Sequence, residues 1–252
     1  TAPGAITPAL LRAYFLTFKG KSPHYLHGAA RVAKTFLNFL VREGLLEDSP
    51  MRRVKMPTLP KDVLPPFTTD EVQRILEACP TERDRALVLT LLDSGVRARE
   101  LLALNVADVD MTSGAVTIRR GKGGKDRTTY VGASSRLALG KYLLTRGIIA
   151  TDAPLFVTLT TGTRLTFYGL QSLLRRLGAA AGVADMGAHR FRRTFAIESL
   201  RAGMGLMQLA AMMGHGSLPV LQRYLRFIGD DLQQAHQQHG AVAHLLRKGR
   251  AR

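Results

Sequence analysis

The chain has 252 residues, with 36 lysines and arginines against 19 aspartates and glutamates, for a formal net charge of +17. A hydrophobic fraction of 46% is enough for a folded core and excludes a disordered tail, while the charge points to a polyanionic partner. Cys79, the one cysteine, excludes an internal disulfide and a thiolate metal cluster, and no apolar run approaches the roughly 20 residues that span a bilayer. With no signal peptide to read, the expected setting is the cytoplasm, on the nucleoid. The chain opens at Thr1 rather than methionine, which points to a trimmed beginning.

Residues 7–46 read as helices. LLRAYFLTF is amphipathic, and after GKSP the stretch HYLHGAARVAKTFLNFLVREG sets Ala30, Ala33, Phe36, Leu37 and Leu40 along one predicted face. Lys19, Lys21, Arg31 and Lys34 fall on other faces, where they would reach a DNA backbone. The Gly-Lys-Ser at 20–22 is not a phosphate-binding loop, because position 15 is Phe where that motif needs glycine. Residues 47–66 change character: five prolines and scattered positive charge predict an extended linker and a domain boundary.

The next domain opens at FTTDEV, where Thr68 and Glu71 make a predicted capping box. Pro80 ends that helix, and ERDRALVLTLLD gives a second one with an apolar face. Gly95 then breaks the pattern, and a helix restarts near Val96 with Arg97 in its first turn. Glu100 lies three residues on, within reach to orient the guanidinium, although an exposed pair of this kind is worth little by itself. The period changes over 115–131: AVTIRR and RTTYVG flank GKGGKD as two strands of a hairpin carrying Lys122 and Lys125 near its tip and Arg127 just after it. Residues 134–146 and the basic segment TFYGLQSLLRRLGAAAG, with Arg175, read as helices.

GAHRFRRTFAIESLRAGMGLMQLAAMMGHGSLPVLQRY follows. His189 and Arg192 are spaced i, i+3 on a predicted helix, with Phe191, Phe195, Ala196 and Leu200 on its apolar side, so the two polar heads are expected to point together away from the core. His215 sits in a Gly-His-Gly turn, and Tyr224 comes nine residues later. A cation, two imidazoles and a phenol suit chemistry on a phosphodiester: arginine forks phosphate oxygens, histidine moves protons, and tyrosine can be a nucleophile. Taken one at a time, each is more often a solvated face or half-buried packing.

The order SGVRARELLAL, GKGGKDR, HRFRRTFA and MGHGSLPVLQRYL resembles the tyrosine recombinases of the phage-integrase and Xer-like family, over about residues 67–228. The resemblance implies a mainly α fold with a small antiparallel β-sheet. It implies a helical core-binding domain over 1–56, shortened at its beginning, a linker over 57–66, and a catalytic domain over 67–252 with a tail at 230–252. The implied catalytic set is Arg97, Lys122, His189, Arg192, His215 and the nucleophile Tyr224, with Glu100 orienting Arg97. Arg190 and Arg193 flank Arg192 as rivals, but only Arg192 fits the HxxR spacing, and Lys125 rivals Lys122. Lys19, Lys21, Arg31, Lys34, Lys125, Arg127, Arg175 and Arg190 are expected on the DNA. The implied reaction is transesterification through a 3′-phosphotyrosine and a Holliday junction, with no ATP, metal or other cofactor. Its partner is double-stranded DNA carrying specific sites, bound by a homo-tetramer that is a monomer or weak dimer without DNA. Two other readings share the scaffold: a type IB topoisomerase-like enzyme and a catalytically silent DNA-binding protein.

Overall fold

The structure, a computed structural model, describes residues 3–58, 65–119, 126–147 and 149–214. It divides into two compact units, Thr1–Val63 and Leu64–Arg252.

The first unit is built on α1 (Pro8–Leu16) and α2 (Pro23–Arg42). Each starts with a hydroxyl cap followed by proline. Thr7 Oγ1 accepts from the Leu10 N–H at 3.2 Å and Ser22 Oγ from the Tyr25 N–H at 3.2 Å, while Pro8 and Pro23 sit at first positions that need no donor. The core joins Leu11, Ala30, Leu37 and Leu40 to Met51 and Val54. Phe36, expected on that face, is 54% exposed. At 3.6 residues per turn it lies roughly 120° around the helix from Ala30, whereas Leu37 returns to within about 20°. Lys19, Lys21, Arg31 and Lys34 are exposed, as their expected contacts require.

The second unit contains α3 (Thr69–Glu77), α4 (Glu82–Ser94), α5 (Ala98–Ala103), β1 (Ala115–Ile118), β2 (Arg127–Tyr130), α6 (Ala133–Arg146), α7 (Phe167–Ala181), α8 (Ala188–Arg201) and α9 (Leu206–Met213). The capping box forms: Thr68 Oγ1 accepts from the Glu71 N–H and Glu71 Oε2 from the Thr68 N–H at 2.9 Å. The central helix is α4, whose Ala86, Leu87, Val88 and Leu91 are fully buried, with α6 and α8 packed against it. Leu139, Leu170, Leu173 and Phe191 complete this core, and a smaller cluster of Phe195, Ile197, Leu209 and Met213 joins α8 to α9. The strands pair antiparallel with Ile118 opposite Arg127. The hairpin tip with Lys122 and Lys125, and everything after Gly214, lie outside the described residues. The fold is therefore mainly α with a small antiparallel sheet. No described helix is long and apolar enough to cross a membrane.

Candidate active site

The site grows from two helix ends. Helix α4 ends at Ser94, and Gly95 takes the left-handed conformation at φ 60° that lets the chain turn sharply. Two residues on, Arg97 is the N-cap of α5 rather than part of its first turn. Helix α9 ends the same way, with Gly214 at φ 61°. In the sequence, His215 follows directly.

Glu100, in the first turn of α5, holds the cluster together. Its Oε2 accepts from the Arg97 backbone N–H at 2.8 Å and its Oε1 from Arg97 Nη1 at 2.8 Å. Both oxygens also accept from Arg127, from Nη1 at 2.9 Å and Nη2 at 2.7 Å. The Glu100 side chain is only 11% exposed. Burial by itself would raise its pKa, but the hydrogen bonds from Arg127 and then Arg97, with the Arg127 charge, outweigh this and hold it at about 2. It is thus a carboxylate at neutral pH, and the pair is far from the exposed, low-value ion pair that spacing alone suggests.

Helix α8 supplies His189 and Arg192. They share a side of the helix, but Arg192 does not point into solvent: it is 3% exposed. Its Nη1 donates to the Gly95 carbonyl and its Nη2 to the Met213 carbonyl at 2.6 Å, so one guanidinium joins the ends of α4 and α9. His189 remains open to solvent. Enough protein surrounds its ring that desolvation lowers its pKa below the usual 6.5, helped by the charges of Arg193, Arg192 and Arg97. The ring is therefore neutral at neutral pH and able to take a proton.

Arg97, His189 and Arg192 line one cleft of about 610 Å³, together with Arg99 and Gln171. Its floor is apolar: Phe167, Leu170, Leu174 and Met186. The low-dielectric floor strengthens the field of the arginines above it. Among the described residues, no group of three or more His, Cys, Asp or Glu side chains is placed to hold a metal ion.

The remaining expected residues divide. Arg175 is exposed on α7. Arg190 is not on the surface: it is 8% exposed, donates to both oxygens of Glu71 at 2.9 and 2.8 Å, to the Pro65 carbonyl at 3.1 Å and to the Ala184 carbonyl at 2.9 Å, and lies over the Phe67 ring. With its fork on protein acceptors it is an internal tie rather than the exposed surface cation expected of a DNA contact. Arg127 is likewise turned inward, 10% exposed at its side chain. Its inward turn was readable, because strand alternation puts it on the same face as the fully buried Thr129. Lys122, Lys125, His215 and Tyr224 lie outside the described residues.

The phage integrase family model matches residues 66–227, a span that takes in Lys122, His215 and Tyr224. The tyrosine recombinase XerC of Thermodesulfovibrio yellowstonii is 31% identical over 239 residues, covering 88% of this chain and 78% of its own. The tyrosine recombinase XerA of Pyrococcus furiosus is 30% identical over 236 residues, covering 92% and 79%. Among solved structures, XerA recombinase superposes with a TM-score of 0.62 at 27% identity over 95% of this chain and 85% of that one. The fold is shared with XerH bound to a palindromic difH substrate, at TM-score 0.71 and 20% identity over 95% and 73%.

Proposed function

The chain belongs to the phage integrase family of tyrosine recombinases, and from that premise we propose that it breaks and rejoins double-stranded DNA at specific sites through a 3′-phosphotyrosyl intermediate. The observation that carries this reading is the convergence of Arg97, His189 and Arg192 on one cleft, with both arginines held by protein acceptors. Tyr224 Oη attacks the scissile phosphorus. A bond forms between the phenol oxygen and phosphorus, and the bond from phosphorus to the 5′-oxygen breaks. His189 takes the phenol proton, since a phenol with a pKa near 10 does not ionise unaided at neutral pH. Lys122 delivers a proton to the departing 5′-oxygen. Arg97 and Arg192, with His215, face the extra negative charge on the nonbridging oxygens in the transition state, the term that contributes most in chemistry of this kind.

Strand exchange follows when a 5′-hydroxyl from another duplex attacks the phosphotyrosine and releases Tyr224. The phosphodiester energy is conserved in the covalent link, so the cycle calls for no nucleotide hydrolysis. In this reading four copies bring two sites together, and residues 230–252 dock onto a neighbouring copy, so that cleavage waits for assembly. The first unit contributes Lys19, Lys21, Arg31 and Lys34 to the DNA backbone.

The test is covalent capture on a library of random duplexes, followed by sequencing of the protein-linked junctions. The wild-type chain is expected to give a protease-sensitive adduct on a denaturing gel, and Tyr224→Phe to bind the recovered duplex but give none. Equal adduct yield from Tyr224→Phe, or no adduct from the wild type, overturns the reading.

A further inference from the structure

Last-turn carbonyls of a helix lack intrahelical partners and carry the negative end of its dipole. At the end of α9, three consecutive carbonyls each accept from a different arginine. Met212 O takes Arg127 Nε at 2.9 Å, Met213 O takes Arg192 Nη2 at 2.6 Å, and Gly214 O takes Arg97 Nη2 at 3.3 Å. Two of these arginines have roles at the phosphate in the reading above; Arg127 has none. Its fork faces Glu100 rather than the cleft, and it does not line the cleft. The contact with α9 is close: a Cβ built on Gly214 would stand 2.8 Å from Arg127 Cδ and 2.9 Å from Nε, so only glycine leaves room for this guanidinium.

We propose, resting on the recombinase reading, that Arg127 is a positioning residue for the cleavage reaction. It acts in two directions. Through Glu100 it orients Arg97, and through the Met212 carbonyl it anchors the backbone that leads into His215. The charge arithmetic gives the first role its force. One carboxylate stands between two guanidiniums, and Arg127 takes both of its oxygens. Without Arg127, Glu100 would pair with Arg97 alone and quench the charge that the transition state uses. Lysine in place of Arg127 keeps a charge but cannot hold two carboxylate oxygens and a carbonyl in one plane. The residue touches no reacting atom, and its effect belongs in the rate of the bound complex rather than in affinity.

The experiment measures single-turnover cleavage of a nicked duplex, carrying a site recovered by junction sequencing, by the full chain and by Arg127→Lys, Arg127→Gln, Glu100→Gln and the double variant Arg127→Gln/Glu100→Gln. Melting curves confirm folding. The expected result is affinity within about threefold of wild type and a rate at saturating DNA about ten- to a hundredfold lower for both Arg127 variants, the scale on which groups that orient a working side chain matter. Adding Glu100→Gln to Arg127→Gln is expected to slow cleavage no further, because Arg97 is then relieved of its unshared carboxylate. Wild-type cleavage by either Arg127 variant overturns the proposal. So does a loss of affinity in step with rate, which marks a phosphate contact, or a double variant whose two defects multiply. If neither Arg127 variant melts cooperatively, Arg127 is a structural tie and the proposal falls. A wild-type chain that forms no adduct removes the recombinase reading itself and is read separately.

Discussion

Arg190→Met separates an arginine inside the protein from one on the DNA. The substitution keeps an apolar stem against Phe67 but removes every donor. Glu71 then loses two charge-assisted bonds and keeps only the Thr68 N–H at 2.9 Å, while the Pro65 and Ala184 carbonyls lose partners at 3.1 and 2.9 Å. Removing one member of a buried ion pair costs about 3–5 kcal/mol. The Glu71 side chain is 18% exposed, and water reaches part of what is left, so the low end applies. A loss of about 3 kcal/mol in a unit of this size lowers its melting temperature by roughly 6–12 °C. Circular dichroism melting of the free protein measures that shift. DNA binding titrated against salt gives the control. Loss of a phosphate contact reduces the slope of log K against log salt by about 1, whereas loss of an internal tie leaves it unchanged. A melting temperature within about 2 °C of wild type, together with a slope reduced by about 1, would refute the interior assignment and put Arg190 on the backbone.

The pH dependence of cleavage at subsaturating DNA reports the free protein, where His189 titrates below 6.5 because desolvation and then Arg193, Arg192 and Arg97 disfavour its charge. As the proposed base it must be neutral, so the rate should climb with pH through an inflection below 6.5; an inflection above 6.5 that survives His189→Gln would show that another group is the base. The same shift carries a stability term that is complete above the ordinary 6.5 and is lost as pH falls toward the lower folded value. Gly95→Ala forces a left-handed backbone on a residue with a Cβ, which costs about 1–2 kcal/mol, and that Cβ would overlap the Phe195 ring. We expect a lower melting temperature and slower cleavage, because the Gly95 carbonyl that Arg192 holds moves with it; a wild-type melting curve would show that the turn tolerates the change.

What could be read in the sequence follows what is local. The Thr68–Glu71 capping box, the strands on either side of GKGGKD, and the helix that carries His189 and Arg192 depend on residues three or four apart, or on alternation over a few positions. Apolar character alone overextends the buried side of α2, since Phe36 is apolar yet exposed at the edge of the face that buries Ala30, Leu37 and Leu40. Charge alone points Arg190 and Arg127 toward DNA. Several of their partners lie far off in the chain: Glu71 is 119 positions from Arg190, and Met212 is 85 positions from Arg127. Most of those partners are backbone carbonyls, which every residue carries and no residue type announces. For Arg127 strand alternation leaves a trace, its two-residue spacing from the buried Thr129.

The hidden half of the site explains how it can hold its arginines close together before any phosphate arrives. Guanidiniums placed side by side repel, and in a cleft with an apolar floor the repulsion is poorly screened. Here the repulsion is offset by fixed dipoles and one buried charge. Arg192 bridges the carboxyl ends of α4 and α9, Arg97 and Arg127 reach the same end of α9, and Glu100 lies between the last two. Glycines at 95 and 214 let both helix ends turn away so that their carbonyls stay within reach. Neutral carbonyls orient a guanidinium without cancelling its charge, whereas a carboxylate on each arginine would. Among the described residues the carboxylate of Glu100 is shared by Arg97 and Arg127, which leaves a net positive cluster whose geometry is set by the fold. In the proposed reaction a phosphodiester entering the cleft would therefore meet donors that need little reorganisation, and the gain in stabilisation as its charge grows toward the transition state would be larger for that reason.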